Sequence, residues 1–244
     1  MSEMIRRPGG EMAKRPLNFF WVVDCSGSMS VDNKMQQVNY AIQSTIPDMR
    51  EAAKDNTNAQ LYVQAMQFST GATWITPSPV EIETYEWRDM QASGVTELGM
   101  AFDLLCGQLS IPPMSERALP PVIVLLSDGQ PTDSYKAQLD KLLNMPWGKK
   151  SVRIAIAIGR DADRQVLEEF TGNREMVLDA NNPQALVALI KWASTVAKQV
   201  STPASRRVVS EEETSQRQSD TVSVQTGPVT VDMNIPDDFG DDVW

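Results

Sequence analysis

Short apolar runs alternate with stretches of helical period along most of this chain. Residues 17–23, Leu-Asn-Phe-Phe-Trp-Val-Val, are nearly continuous apolar text ending at Asp24, which predicts a strand buried on both faces. Across 33–54, Met35, Val38, Ile42, Ile46, Met49 and Ala53 recur three or four apart, so an amphipathic helix is expected there, kinked at Pro47. Residues 59–69 and 72–75 predict a strand pair, and 80–85 a short strand after the loop that Pro77 and Pro79 open. A second helix is expected over 96–109, with Leu98, Ala101, Phe102, Leu105 and Leu109 on one face. The remaining pattern gives a strand at 121–127, a helix at 133–144, a strand at 152–158, a helix at 163–170, a strand at 176–179 and a long helix at 183–200. Strand and helix alternate throughout, which predicts an α/β fold: a doubly wound, mainly parallel sheet with helices on both faces.

This organisation assigns residues 1–16, with Pro8-Gly9-Gly10, to a polar flexible arm, 17–200 to one domain and 201–244 to a tail. The tail is rich in Ser, Thr, Glu and Gln and too poor in large apolar residues to order itself unaided. Within it, residues 221–226 and 229–233 alternate around Gly227-Pro228, so a hairpin at 221–233 is a candidate. The tip, 236–244, mixes four aspartates with Phe239 and Trp244.

Composition narrows the chemistry. The chain has no histidine, which removes any Ser-His-Asp triad, any His-ligated metal and any imidazole base. Cys25 and Cys106 are too few for a disulfide framework or a four-cysteine metal site, and fit a reduced, cytoplasmic setting. The net charge of −10 opposes binding to nucleic acid or to an anionic membrane. Much of that charge lies in residues 201–244, which hold nine acids and three bases. No apolar run approaches a membrane span, and Asp24 stands where a lipoprotein leader would place a small residue before its cysteine.

In open α/β sheets ligands bind at the carboxyl ends of strands. The first strand ends in Asp24-Cys25-Ser26-Gly27-Ser28, where alternation would aim Asp24, Ser26 and Ser28 at one locus. The strand at 121–127 ends in Ser127-Asp128-Gly129, and Thr96 opens the helix that precedes it. Together these loops offer two carboxylates and several hydroxyls, all hard oxygen donors suited to Mg²⁺ or Mn²⁺. Hydroxyls near the ion with carboxylates behind them leave it electrophilic, so an acidic group of a partner protein can complete its coordination.

Asp24-x-Ser26-x-Ser28, Thr96 and Asp128 resemble the metal-ion-dependent adhesion site of von Willebrand factor A domains, in the right loops and the right order. Trp21-Val-Val-Asp-Cys-Ser-Gly-Ser-Met29 and Leu125-Leu-Ser-Asp-Gly-Gln-Pro-Thr-Asp133 look like the bacterial TerY-like tellurium-resistance group within that family. The resemblance covers about 17–200. It implies that Ser26, Ser28 and Thr96 bind the metal directly or nearly so, with Asp24 and Asp128 acting largely through waters. It further implies a cytoplasmic stress-resistance setting beside a serine/threonine kinase and a metal-dependent phosphatase.

Other roles compete for the same residues. Ser26, Ser28 and Thr96 are also good helix caps, as is Asp133. Cys25 reads as a small packed side chain and Cys106 as structural. A Mg²⁺-dependent phosphohydrolase is the alternative function, but it wants a second aspartate where Ser26 stands, and a cysteine phosphatase loop wants an arginine where Val31 stands. The reading is therefore a non-enzymatic, metal-dependent interaction module. In the tail, Ser210, Thr214, Ser215, Ser219 and Thr221 lie in a segment open to a kinase, Thr214 and Thr221 being the candidates for a phosphothreonine reader. The acidic tip is a candidate latch that competes for the metal from within the chain, an alternative to its aiding solubility or docking on a partner.

Overall fold

The apolar run that opens the domain forms β1 (Arg15–Asp24), a ten-residue strand whose last eight side chains are all buried. The computed structural model describes residues 14–201, 223–226 and 229–233. The arm before residue 14, Thr214, Thr221 and the 236–244 tip lie outside the described residues. A short 3₁₀ segment over Gly27–Asn33 follows β1 and leads into α1 (Lys34–Lys54). Then come β2 (Ala59–Ser69), β3 (Gly71–Trp74), β4 (Val80–Glu81), α2 (Leu98–Gln108) and β5 (Val122–Ser127). The second half adds α3 (Lys136–Asn144), α4 (Pro146–Lys150), β6 (Val152–Ile158), α5 (Arg164–Thr171), β7 (Val177–Ala180) and α6 (Pro183–Ser201).

The strands form one sheet in the order β3-β2-β1-β5-β6-β7, with β4 also on β2. From β2 to β7 along that order every pair is parallel, while β3 and β4 run antiparallel to β2. A parallel sheet needs cover on both faces, and alternation in the strands supplies it. Phe19, Trp21 and Val23 join Val122, Val124 and Leu126 under α1 and α6. Phe20, Val22, Ile123 and Leu125 face the other way, under α2, α3, α4 and α5. This is the α/β fold that the sequence pattern predicts.

Local departures have local causes. Only Val80–Glu81 of the expected 80–85 strand pairs, because the chain turns at once, with Thr84 N–H donating to Glu81 C=O at 3.0 Å. The helix expected from 96 starts at Leu98, and that expected from 133 starts at Lys136, since the residues before each are bonded into the site described below. Five-residue α4 is too short to show a period. Its Trp147 is buried, and the Arg153 guanidinium donates to the Gly148 carbonyl at 2.7 Å.

In the tail, β8 (Ser223–Thr226) and β9 (Val229–Asp232) pair antiparallel. Val231 is fully buried in the core layer shared by α1 and α6, and Met233 packs against it. Among the described residues no helix is long and apolar enough to cross a membrane.

Candidate metal centre

Strand β1 has β2 on one side and β5 on the other, so the chain reverses its winding direction at the β1/β5 seam. Ligand crevices open at such a seam, beyond the carboxyl ends of the strands. Val23 pairs in register with Leu126, which brings Asp24 and the Ser127-Asp128 turn side by side. A third loop is stitched to them by the backbone. Cys25 N–H donates to Phe68 C=O at 2.8 Å, Ser93 N–H to Cys25 C=O at 2.7 Å and Gly27 N–H to Gly94 C=O at 3.0 Å. Gly94 has φ +76°, and a Cβ there would lie 2.4 Å from Thr70 Oγ1, so the loop turns this tightly only with glycine. Thr96 and Thr132 then clasp each other: Thr132 N–H donates to Thr96 C=O at 2.8 Å and Thr96 N–H to Thr132 Oγ1 at 3.3 Å.

The five residues expected at the site, Asp24, Ser26, Ser28, Thr96 and Asp128, meet at this seam. Asp24, Ser26, Thr96 and Asp128 are buried, and Ser28 forms the exposed lip. Strand alternation is not what gathers the first three, because β1 stops at Asp24. A turn does it: Asp24 Oδ1 accepts Ser26 N–H at 2.8 Å, and the 3₁₀ segment then sets Ser28 Oγ 2.9 Å from Ser26 Oγ. Ser28 donates its hydroxyl proton to Asp128 Oδ1 at 2.7 Å. A hydroxyl has one proton, so Ser26 is the donor in the serine pair. Ser127 donates to Asp24 Oδ2 at 2.6 Å.

With Lys34 Nζ donating to Asp128 Oδ2, both oxygens of each carboxylate are engaged by the protein, while each serine oxygen keeps a lone pair that no described donor uses. The Thr96 hydroxyl makes no hydrogen bond to another described residue. Gly129 marks where these atoms converge. A Cβ built on it would lie 3.5 Å from Thr96 Oγ1, 3.6 Å from Ser28 Oγ and 3.9 Å from Asp24 Oδ2. Oxygen donors from two loops thus gather, above the third loop's Gly129, around one point that no described side chain fills. Among the described residues no three His, Cys, Asp or Glu side chains gather, so hydroxyls dominate the donor set. That set fits a hard divalent cation that keeps some of its waters.

Burial raises the Asp24 carboxyl above its usual 3.8, against the lowering effect of hydrogen bonds from Ser127 and Ser26, and the Asp128 charge adds to the rise. Burial, with the Asp24 charge, likewise pushes the Cys25 thiol up to about 12. Its Sγ lies 3.8 Å from Met90 Sδ, so Cys25 is a packed side chain without thiolate character. Cys106 is also buried in the core.

The capping alternatives fare differently. Ser26 and Glu97 occupy the N-cap positions of the 3₁₀ segment and α2, yet neither makes a side-chain cap bond, and the Ser28 hydroxyl is committed to Asp128. Asp133 does cap a helix, though not the one that follows it: its Oδ2 accepts Gly99 N–H of α2 at 2.8 Å.

Lys34 belongs to the site and the motif reading missed it. Its Nζ lies 2.9 Å from Asp128 Oδ2, and the residue is only 6% exposed. Asp32 and Asn33, at φ 52° and 57°, turn the chain through the left-handed region just before it. One signal was available, since a lysine opening α1 has the wrong sign for a helix N-terminus.

The sequence model of the von Willebrand factor type A domain matches residues 19–192. No curated protein sequence matches the chain. Among solved structures, the pilus adhesin SpaC of Lactobacillus rhamnosus GG superposes with TM-score 0.61 at 15% identity, over 78% of this chain and 31% of that one. Proximal thread matrix protein 1 of the mussel byssus, in a structure with a zinc-occupied MIDAS motif, gives 0.56 at 20%, over 78% and 50%. A von Willebrand factor type A protein of Catenulispora acidiphila gives 0.55 at 14%, over 76% and 43%. The chain thus spans a third to a half of these proteins, and likeness at such identity speaks for the fold alone.

Proposed function

Because the chain belongs to the von Willebrand factor type A domain family, we propose that Asp24, Ser26, Ser28, Thr96 and Asp128 hold one Mg²⁺ or Mn²⁺, which serves as the docking point for an acidic group of a protein partner. The observation that carries this reading is the convergence of the Thr96 and Ser28 hydroxyls and the Asp24 carboxylate on the point beside Gly129. Ser26, Ser28 and Thr96 are the direct donors. Asp24 and Asp128, with their oxygens already engaged, orient those donors and balance charge from behind. The metal supplies Lewis acidity toward a carboxylate. On this reading the site is a binding device rather than an enzyme.

The rim supports a protein partner. Val31, 54% exposed, follows the Ser28 turn and Val95, 44% exposed, precedes Thr96, so apolar side chains flank the hydroxyls on two of the three loops. Such side chains suit an interface in which a buried carboxylate is ringed by apolar contact.

The finer setting rests on the motif likeness: a cytoplasmic bacterial protein of the TerY-like group, working with a serine/threonine kinase and a metal-dependent phosphatase in stress resistance, and carrying phosphate on Thr214 or Thr221. Affinity purification of wild type and Asp24→Ala from native cells, each with and without chelator, tests the docking role. A partner lost from both the variant and the chelated sample is expected; a partner retained in both refutes metal-dependent docking. Intact mass after co-expression with the neighbouring kinase tests the tail, and an unmodified tail refutes that role.

A further inference from the structure

The Lys34–Asp128 pair is buried on both sides, with side-chain exposures of 7% and 0%. A buried ion pair contributes little net stability compared with apolar residues of the same size, so its presence at a binding site asks for another reason. We propose that Lys34 is a built-in counter-cation that sets the net charge of the metal site and thereby makes the loaded site select a carboxylate ligand. This rests on the metal-docking reading above.

The charge count carries the inference. Asp24, Asp128 and the Lys34 ammonium together hold one excess negative charge. A divalent cation turns that into one excess positive charge, and a single carboxylate from outside brings it to zero. Without Lys34 the two aspartates alone would neutralise the cation, leaving no residual charge to draw in an acid. Residual charge held beside buried carboxylates is only partly screened by solvent, so its neutralisation is a drive toward an anionic ligand. The same ammonium repels the bare metal, so Lys34 weakens metal binding while strengthening partner binding.

The geometry holds Lys34 to this task. Lys34 engages Asp128 Oδ2 while Ser28 engages Oδ1, so the carboxylate is fixed from both sides, away from direct ligation. The ammonium itself sits in a fitted niche: a Cβ on Gly159 would lie 3.3 Å from Nζ, and Gly159 has φ +76°.

The test uses the full chain, with Mn²⁺ alone and then acetate as probes. Mn²⁺ affinity is read by calorimetry, and acetate binding to the Mn²⁺-loaded protein by water-proton relaxation, since acetate displaces a metal-bound water. Lys34→Met should bind Mn²⁺ about tenfold more tightly and acetate about tenfold more weakly. Any other pattern in a folded variant, above all a loss of Mn²⁺ affinity with acetate binding unchanged, overturns the proposal. Should Lys34→Met fail to fold, the crystal structure of Mn²⁺-loaded wild type decides. Lys34 Nζ must stay on Asp128 Oδ2, and its displacement by the metal refutes the role. Wild type that takes up no Mn²⁺ refutes the docking reading itself, whereas wild type that binds both probes and is matched by Lys34→Met refutes the role of Lys34 alone.

Discussion

Asp24 and Asp128 are equally buried but differently compensated. Asp128 has a cation against it, while Asp24 relies on neutral donors, the Ser26 N–H and the Ser127 hydroxyl, and burial raises its carboxyl above 3.8. A carboxyl raised on folding favours the folded state fully below its unfolded value, and that contribution is lost as pH rises through the folded value. Metal-free Asp24→Asn should therefore match wild type in melting temperature near pH 4 and exceed it increasingly toward pH 7. A gap that is constant or narrows with pH contradicts this account of Asp24. Gly129 offers a sharper probe of the cavity. Its Cβ would make only ordinary contacts of 3.5–3.9 Å, so Gly129→Ala should leave metal-free stability within about 1 kcal/mol while its methyl group crowds the converging oxygens and cuts Mn²⁺ affinity at least about tenfold. Undiminished Mn²⁺ uptake by that variant would move the site elsewhere.

At the scale of elements, α1 keeps a proline in its interior. Pro47 is exposed and cannot donate to the carbonyl a turn earlier, while the hydroxyls of Ser44 and Thr45 bond back to Ala41 and Ile42 at 2.8 Å each. Pro47→Ala should raise stability by about 2 kcal/mol, the helix penalty of proline less its restriction of the unfolded chain, checked by urea denaturation. The elements themselves were legible because buried parallel strands and amphipathic helices write their periods into the sequence, as at 17–23 and 33–54. The Asp24, Ser26 and Ser28 pattern was legible because those residues lie at alternate positions of one short stretch. The reason for their convergence was not, since it depends on a turn and on backbone bonds from Gly27 to Gly94 and from Cys25 to Phe68 that no local pattern records. The partners of Lys34 and Asp133 likewise lie far along the chain, at Asp128 and Gly99, so neither contact could be read from neighbours in sequence.

Across the whole molecule, the site sits at the carboxyl ends of the strands and the domain's core continues into the tail. Val231 of β9 is fully buried against the layer formed by α1 and α6, so the tail is anchored there rather than merely appended. Val231→Ala should lower stability by about 2 kcal/mol through lost apolar burial and the void it leaves, measured by chemical denaturation. A variant as stable as wild type would show that β9 contributes nothing to the fold.

The central claim is that hydroxyls from two loops, backed by carboxylates, hold one divalent cation, and Thr96 isolates it. Its side chain makes no hydrogen bond within the described network, so Thr96→Ala removes a metal donor while leaving the carboxylate and serine bonds in place. Calorimetric titration of the full chain with Mn²⁺ should give one site in wild type and at least about a tenfold loss of affinity in Thr96→Ala, with metal-free stability unchanged to within about 1 kcal/mol. Equal Mn²⁺ binding by the two proteins, or none by either, would contradict the account.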